Sequence, residues 1–268
     1  MKKTLIASAV AALAVAPVAN AAVKITGQVH QAVILSSDLD DIEVVDNNHS
    51  GSRFRFVGSK KLSNGLTAGF RYELQAQDNN STTREDALIS EVRVSDVYVS
   101  GSFGKLAIGK GAGAADGTFE SHGILGHYLG QDLTWLAINP TLDNPIAYRS
   151  VDGTSRENRV RYDSPNFNGF KVALSVDNGG RNEAAIHYNG KVAGGKLRAR
   201  AGTVSEEDVT SYSIAYKTSF GLGLGYSYGE RDTDAFDTEW VNVTYQIGKL
   251  TASYGTGEDS NNNLRPYQ

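Results

Sequence analysis

The sequence contains no cysteine, five prolines and one methionine among 268 residues. Without cysteine the chain has neither disulfide bonds nor thiolate metal sites. Mean hydropathy is -0.33 and hydrophobic residues make up 40% of the chain. A bundle of membrane helices needs repeated apolar runs of about 20 residues, so a helical polytopic membrane protein is excluded.

The residues that are plentiful favour strands and turns. Glycine occurs 29 times, tyrosine 13 times and phenylalanine nine times. Aromatic residues are enriched in strands and glycine in the turns that join them. The formal charge of -4 argues against a nucleic-acid partner, because phosphate binding needs a basic surface. These totals indicate no catalytic class and no cofactor.

The first 21 residues have the pattern of a secretory signal peptide. Lys2 and Lys3 precede an apolar stretch at 5–15, and Ala19-Asn20-Ala21 forms a small-residue cleavage site. A membrane anchor would need a longer apolar run. The sequence therefore predicts an exported protein, with segment 1–21 removed and the mature domain at 22–268.

From residue 23 onward, apolar and polar side chains alternate in stretches of roughly ten residues, of which we count thirteen. Short connections such as Ser63-Asn64-Gly65 and Ala193-Gly194-Gly195 alternate with longer polar ones. No helical period competes over a comparable length, and no second domain is evident. The pattern predicts an all-β, antiparallel meander.

One face of the alternating stretches is apolar and the other is charged. Phe70, Leu174 and Tyr216 stand in the apolar rows, whereas Lys171 and Lys217 stand in the charged rows. A sandwich buries its apolar face, whereas a water-filled membrane barrel turns that face toward lipid. A lysine or arginine that faces lipid at mid-bilayer costs roughly 2 to 4 kcal/mol. A membrane would therefore select for this separation of apolar and charged faces. The arginines expected to line the pore are Arg53, Arg55, Arg71, Arg93, Arg159 and Arg161.

Four charged or polar residues break the strict alternation, and the pattern places them outward: Gln31, Asp96, Lys110 and Glu239. Three explanations remain open from the sequence. Each residue lies at a β-bulge, beyond the membrane, or at a subunit contact.

A long segment between Lys110 and Arg156 interrupts the meander. Its candidate site residues are acidic: Asp116, Glu120 and Asp132. Folded into the lumen, these carboxylates would face the arginines of the early strands across a narrow, charged constriction. Folded outward, they would be solvated on an external flap, and the residues alone leave both interpretations open.

Several motifs resemble those of Gram-negative general porins. The run 52–58 (SRFRFVG), followed by 62–70 (LSNGLTAGF), is similar to their second and third strands, and 100–110 (SGSFGKLAIGK) to a later turn. The run 160–170 (VRYDSPNFNGF) is similar to the end of a strand and the turn that follows it. The resemblance implies an outer-membrane, trimeric, 16-stranded up-and-down barrel whose third external loop folds inward.

The same resemblance assigns roles to individual residues. Arg53 and Arg93 match positions on the basic side of the constriction by motif, and Asp116 and Glu120 fall near its acidic loop by position. The sequence departs from the family at its end, where about thirteen strands are followed by the polar segment 258–268. Bacterial barrels have even strand counts, so we interpret the chain as lacking about three C-terminal strands.

The resulting prediction is a general diffusion porin that passes small hydrophilic solutes and ions, with outer-membrane lipid and two further copies of itself as partners. The alternative is an outer-membrane barrel with an adhesin or hydrolase role. His122 and His127 with Asp132 form only a weak candidate for a metal site, and with Ser121 for a hydrolase. The glycine-rich stretch 109–113 lacks phosphate-loop spacing. We therefore expect no enzyme activity, cofactor or metal.

Overall fold

The computed structural model describes residues 23–34, 42–47, 50–79, 89–125, 151–232, 236–260 and 265–267. The predicted signal peptide, His127 and Asp132 lie outside these ranges. In the described part, sixteen strands and one 3-10 turn at His122–Ile124 account for the regular structure. None of the described segments forms an apolar helix of membrane-spanning length.

The strands follow the chain in the order β1 Val23–Gln28, β2 Gln31–Ile34, β3 Glu43–Asp46, β4 Arg53–Lys61, β5 Thr67–Gln77, β6 Ile89–Gly101, β7 Gly104–Gly111, β8 Glu157–Asp163, β9 Phe170–Asp177, β10 Asn182–Val192, β11 Gly195–Val204, β12 Val209–Lys217, β13 Leu222–Arg231, β14 Phe236–Ile247, β15 Leu250–Asp259 and β16 Arg265–Tyr267.

Fourteen of these strands form one antiparallel sheet in the order β1, then β4 through β16. The short pair β2 and β3 forms a second ladder between β1 and β4 along the chain. From β4 to β16 every strand pairs with the next one in sequence, which confirms the predicted meander.

Tight turns join the strands at one end of the sheet. Between β10 and β11 the turn is Ala193-Gly194, and both residues have positive φ, at 47° and 79°. Two consecutive positive φ angles are typical of a hairpin turn whose twist matches that of the flanking strands. Bacterial barrels have short periplasmic turns and long external loops, so the tight-turn end is the periplasmic end.

The two faces of the sheet are sorted as the sequence predicts. On β12, Tyr212 and Ile214 are 42% and 47% exposed, whereas Ser211 and Ser213 are buried. On β9, Leu174 is 49% exposed. The apolar rows therefore face outward and the polar rows face the interior, which is the orientation of a membrane barrel.

A β-bulge in β6 explains one exception to the alternation. Glu73 pairs with Val94 and Leu74 pairs with Val92, so Arg93 is an extra residue in the ladder. An extra residue reverses the faces beyond it. Arg93 and Asp96 therefore both point inward although three positions separate them. Strict alternation would place Asp96 outward, and of the three explanations left open for this residue the structure shows the β-bulge.

Candidate pore constriction

The segment that follows β7 lies on the inner face of the sheet. Ala114, Ala115, Phe119 and Leu125 are fully buried although they belong to a connection between strands. We call residues 112–125 the inner loop. From Ala114 onward, inward-facing side chains of β9 to β12 hydrogen-bond its backbone, beginning with Ser175, which accepts from the Ala114 N–H at 2.8 Å. Of the two interpretations left open by the sequence, folding inward is correct for the described part of the segment.

Small residues on the wall let the inner loop approach closely. A Cβ added to Gly202 would lie 2.9 Å from both Ala115 and Thr118, and one added to Gly223 would lie 2.7 Å from Leu125. The inward row of β13 consists entirely of small residues up to Gly229. A larger side chain in this row would occupy the place of the loop, so the row determines where the loop rests.

An apolar contact also holds the loop against the wall. Val204 and Val209 point inward from β11 and β12 and form a buried cluster with Ala115 and Val151, against which Phe236 packs. The sequence signal for this contact is the pair of valines in otherwise polar rows, which our sequence analysis missed. Burying apolar side chains between loop and wall stabilises the inward conformation.

Glu183 on β10 binds both arms of the long connection. Its Oε2 accepts a hydrogen bond from the Ala115 N–H at 2.8 Å, and its Oε1 accepts one from the Thr154 N–H at 3.0 Å. The Thr154 hydroxyl contacts the same carboxylate. The arms bind each other as well, because the Gly113 N–H donates to the Thr154 carbonyl at 2.7 Å. Glu183 therefore holds the two arms of the connection together at the base of the loop.

Asp116 and Glu120, the two predicted loop acids in the described part, lie close to each other and to a third acid, Asp152. Asp152 accepts a hydrogen bond from the Gly117 N–H at 2.9 Å, directly after Asp116 in the chain. Burial, reinforced by the nearby Asp152 and Glu120 carboxylates, raises the pKa of Asp116 to about 8. Asp116 is consequently mostly protonated at neutral pH. The Glu120 carboxylate lies 3.9 Å from the Arg200 guanidinium, a partner that the sequence analysis did not identify.

Three of the predicted arginines surround one carboxylate. Glu73 on β5 makes ion pairs with Arg53 at 3.3 Å, with Arg93 at 2.9 Å and with Arg55. Glu73 is buried, whereas the Arg55 side chain is 48% exposed. The bulge in β6 is what brings Arg93 to this cluster. We call Arg53, Arg55 and Arg93 with Glu73 the arginine cluster.

The other predicted arginines lie on the same inner face, closer to the periplasmic end. Asp96 makes ion pairs with Arg71 and, at 2.9 Å, with Arg159. Arg159 is buried, and its Nε donates to the Ala112 carbonyl at 2.8 Å, so it braces the start of the inner loop. Arg161 pairs with Asp163 at 2.8 Å and donates to the carbonyls of Ala112 and Gly113. Sequence reasoning did not identify Glu73 and Asp96 as the counter-ions.

The weak metal candidate lies largely outside the described part of the chain. No group of three or more histidine, aspartate or glutamate side chains there is arranged to hold a metal ion. His127 and Asp132, which the weak metal candidate requires, lie outside it.

The family model of the Gram-negative porins matches residues 7–266 of this chain. The chain belongs to the Gram-negative porin family. Two curated relatives are outer membrane porin protein 32 of Delftia acidovorans, 27% identical over 85% of this chain, and the major outer membrane protein P.IB of Neisseria sicca, 30% identical over 84%. The chain spans 67% and 55% of their respective lengths.

Solved porins share the fold. A triple mutant of the Rhodopseudomonas blastica porin has a TM-score of 0.57 and 16% identity, over 89% of this chain and 85% of that one. A variant of OmpT from Vibrio cholerae lacking its loop L8 has a TM-score of 0.59 and 16% identity, over 91% and 84% of the two chains. The sheet of this porin is thus a β-barrel wall. As a Gram-negative porin, the protein belongs to the outer membrane and forms a diffusion channel there.

Proposed function

We propose that this porin conducts small hydrophilic solutes and ions through a charged constriction and favours anions at neutral pH. The observation that carries the proposal is the arginine cluster, in which three guanidinium groups share one carboxylate. The inner loop forms the opposite side of the constriction, because it is anchored on β9 to β14 and the cluster lies on β4 to β6.

The charges at the constriction do not cancel. The arginine cluster carries three positive charges against one negative charge, a formal excess of two. Arg71 and Arg159 against Asp96 add an excess of one. On the long connection, the raised pKa of Asp116 leaves Asp152 and Glu120 as the neighbouring carboxylates at neutral pH, and Glu120 lies 3.9 Å from Arg200. An excess of positive charge in a narrow pore concentrates anions and repels cations.

Replacing Arg53 and Arg93 by glutamine tests the proposal. Losing two positive charges at the constriction should shift the zero-current potential in a KCl gradient toward that of a cation-preferring pore. The measurement is the reversal potential of purified protein in planar lipid bilayers, for each single variant and for the double variant.

The matched control is Lys60→Gln. Lys60 stands on the same strand as Arg53 but in the outward row, so its replacement removes the same charge from outside the pore. A reversal potential that moves equally in the control and in the arginine variants, or in neither, would remove the cluster from the constriction.

Three finer assignments belong to the same proposal. The pattern at 1–21 supports export through a cleaved signal peptide, and family membership supports a homotrimer. Porins of this family are channel proteins, which supports the prediction that the chain is not an enzyme. N-terminal sequencing of the mature protein, cross-linking in detergent and a hydrolysis assay test these in turn.

A further inference from the structure

Three lysines stand side by side at the periplasmic end of the inner wall. Lys191 on β10 is directly opposite Lys196 on β11, and Lys196 is directly opposite Lys217 on β12. All three belong to the inward rows of their strands. We call them the lysine row. Like charges directly opposite on neighbouring strands destabilise a sheet, so this register is unfavourable unless an anion lies between them.

The lysine row lines a cavity with no acid among the described residues around it. The cavity has a volume of about 390 Å³, and its other lining residues are Ile124 of the inner loop, Gly194, Gly195, Thr218, Ser219 and Gln246. Lys217 Nζ donates to Gln246 Oε1 at 2.8 Å. Among the residues that the structure describes, no carboxylate forms an ion pair with any of the three lysines. Within the described part of the chain, the row therefore keeps three positive charges together without a carboxylate counter-ion.

Positive charge continues from the lysine row toward the inner loop. Arg198 follows Lys196 in the inward row of β11, and Arg200 follows Arg198. Arg198 is 8% exposed, and its Nε and that of Arg200 are buried without a hydrogen-bond partner in the described structure. The first carboxylate along this path is Glu120, near Arg200. An anion that passes the constriction thus meets three basic side chains in succession along the inward row of β11.

We propose that the lysine row is a binding site for a small multivalent oxyanion, such as phosphate or a phosphorylated solute, on the periplasmic side of the constriction. Three ammonium groups and the hydroxyl of Ser219 supply donors for several oxygens of one tetrahedral anion. A monovalent anion neutralises only one of the three charges. This inference rests on the proposed channel and adds a solute class to it.

Phosphate block of the chloride current tests the site. Single-channel conductance of the full chain is measured in KCl while inorganic phosphate is added to both chambers at constant ionic strength. The wild-type conductance should fall with phosphate concentration and reach a plateau, whereas acetate at the same concentrations should cause no saturating block. Replacing the central lysine, Lys196→Gln, should raise the half-blocking phosphate concentration by about tenfold, the loss expected for one charge-assisted contact.

Two further variants separate the site from a general effect of charge. Lys196→Arg keeps the charge and should retain the block. Lys249→Gln removes one positive charge from an exposed turn at the same mouth but outside the lysine row, and it should also retain the block. The inference is wrong when phosphate gives the wild type no saturating block, or when Lys196→Gln and Lys249→Gln are blocked alike. Loss of all KCl conductance in the wild type would instead overturn the proposed channel.

Discussion

At the scale of single residues, identical side chains have different roles because their neighbours differ. Arg159 and Arg55 are both arginines in the charged rows. Arg159 is buried against Asp96 and backbone carbonyls, whereas Arg55 extends into the lumen from the arginine cluster. Neither the residue type nor the strand period distinguishes them. Their difference in burial depends on where the inner loop begins, because Arg159 binds the Ala112 carbonyl at that point.

The charge of Asp116 changes with pH close to neutrality. Its pKa is raised to about 8, mainly by burial and then by Asp152. Raising the pH from 6 to 9 should therefore add a negative charge beside the pore and shift the reversal potential toward cations. In bilayers, Asp116→Asn should remove this pH-dependent step and leave the neutral-pH selectivity nearly unchanged.

The matched control for this pH dependence is Glu206→Gln, on an exposed external turn, which should keep the change in reversal potential between pH 6 and pH 9. If Asp116→Asn shows a change of the same size as the wild type, another group is responsible for it.

The raised pKa of Asp116 also affects stability. The folded protein holds the Asp116 proton more tightly than the unfolded chain does, so the contribution of this group to the free energy of unfolding falls as pH rises from about 4 to about 8.

At the scale of elements, the strands are regular and the features that shape the pore are irregular. The bulge in β6 brings Arg93 into the arginine cluster and turns Asp96 inward. The small inward row of β13 makes room for the inner loop. Both are departures from a uniform strand, and both lie where the wall and the loop form the pore.

Glu183 is the element-scale contact whose loss should affect the pore most. Glu183→Ala removes the acceptor for Ala115 and Thr154, so both arms of the connection lose a hydrogen bond to the wall. We expect a larger and noisier single-channel conductance, because the loop moves away from its resting place. Glu206→Ala, which removes an exposed acid, should leave conductance unchanged. Equal conductance in both variants would show that the other contacts of the loop hold it in place without Glu183.

At the scale of the whole molecule, the barrel reverses the usual arrangement of a globular protein. Its apolar side chains are exposed and its ionised side chains are interior, because lipid surrounds it and water fills it. The buried apolar contacts in the described part are small clusters between the inner loop and the wall, such as that of Val204 and Val209. Stability therefore depends on the strand ladder and on the lipid-facing rows.

Leu174→Arg tests the outward face. Leu174 lies in the middle of β9 with its side chain outward, so an arginine there would face the hydrocarbon. We expect the free energy of unfolding in lipid vesicles to fall by roughly 2 to 4 kcal/mol, measured by denaturant titration. Lys171→Arg, in the inward row of the same strand, should change it little. Equal stability of both variants would contradict the orientation of the sheet.

The sequence by itself determined the antiparallel meander and the direction in which the regular rows point, because a period of two and a lipid environment leave one consistent arrangement. It predicted thirteen strands, whereas the described part of the chain holds sixteen. It also predicted which arginines stand in the charged rows, and their place in the pore wall stays a prediction. Only the tertiary structure decided that the inner loop rests on β9 to β14, that Glu73 and Asp96 are the counter-ions, and that Asp116 holds its proton. These outcomes depend on contacts between segments far apart in the chain, on one bulge and on local burial, none of which strand periodicity encodes.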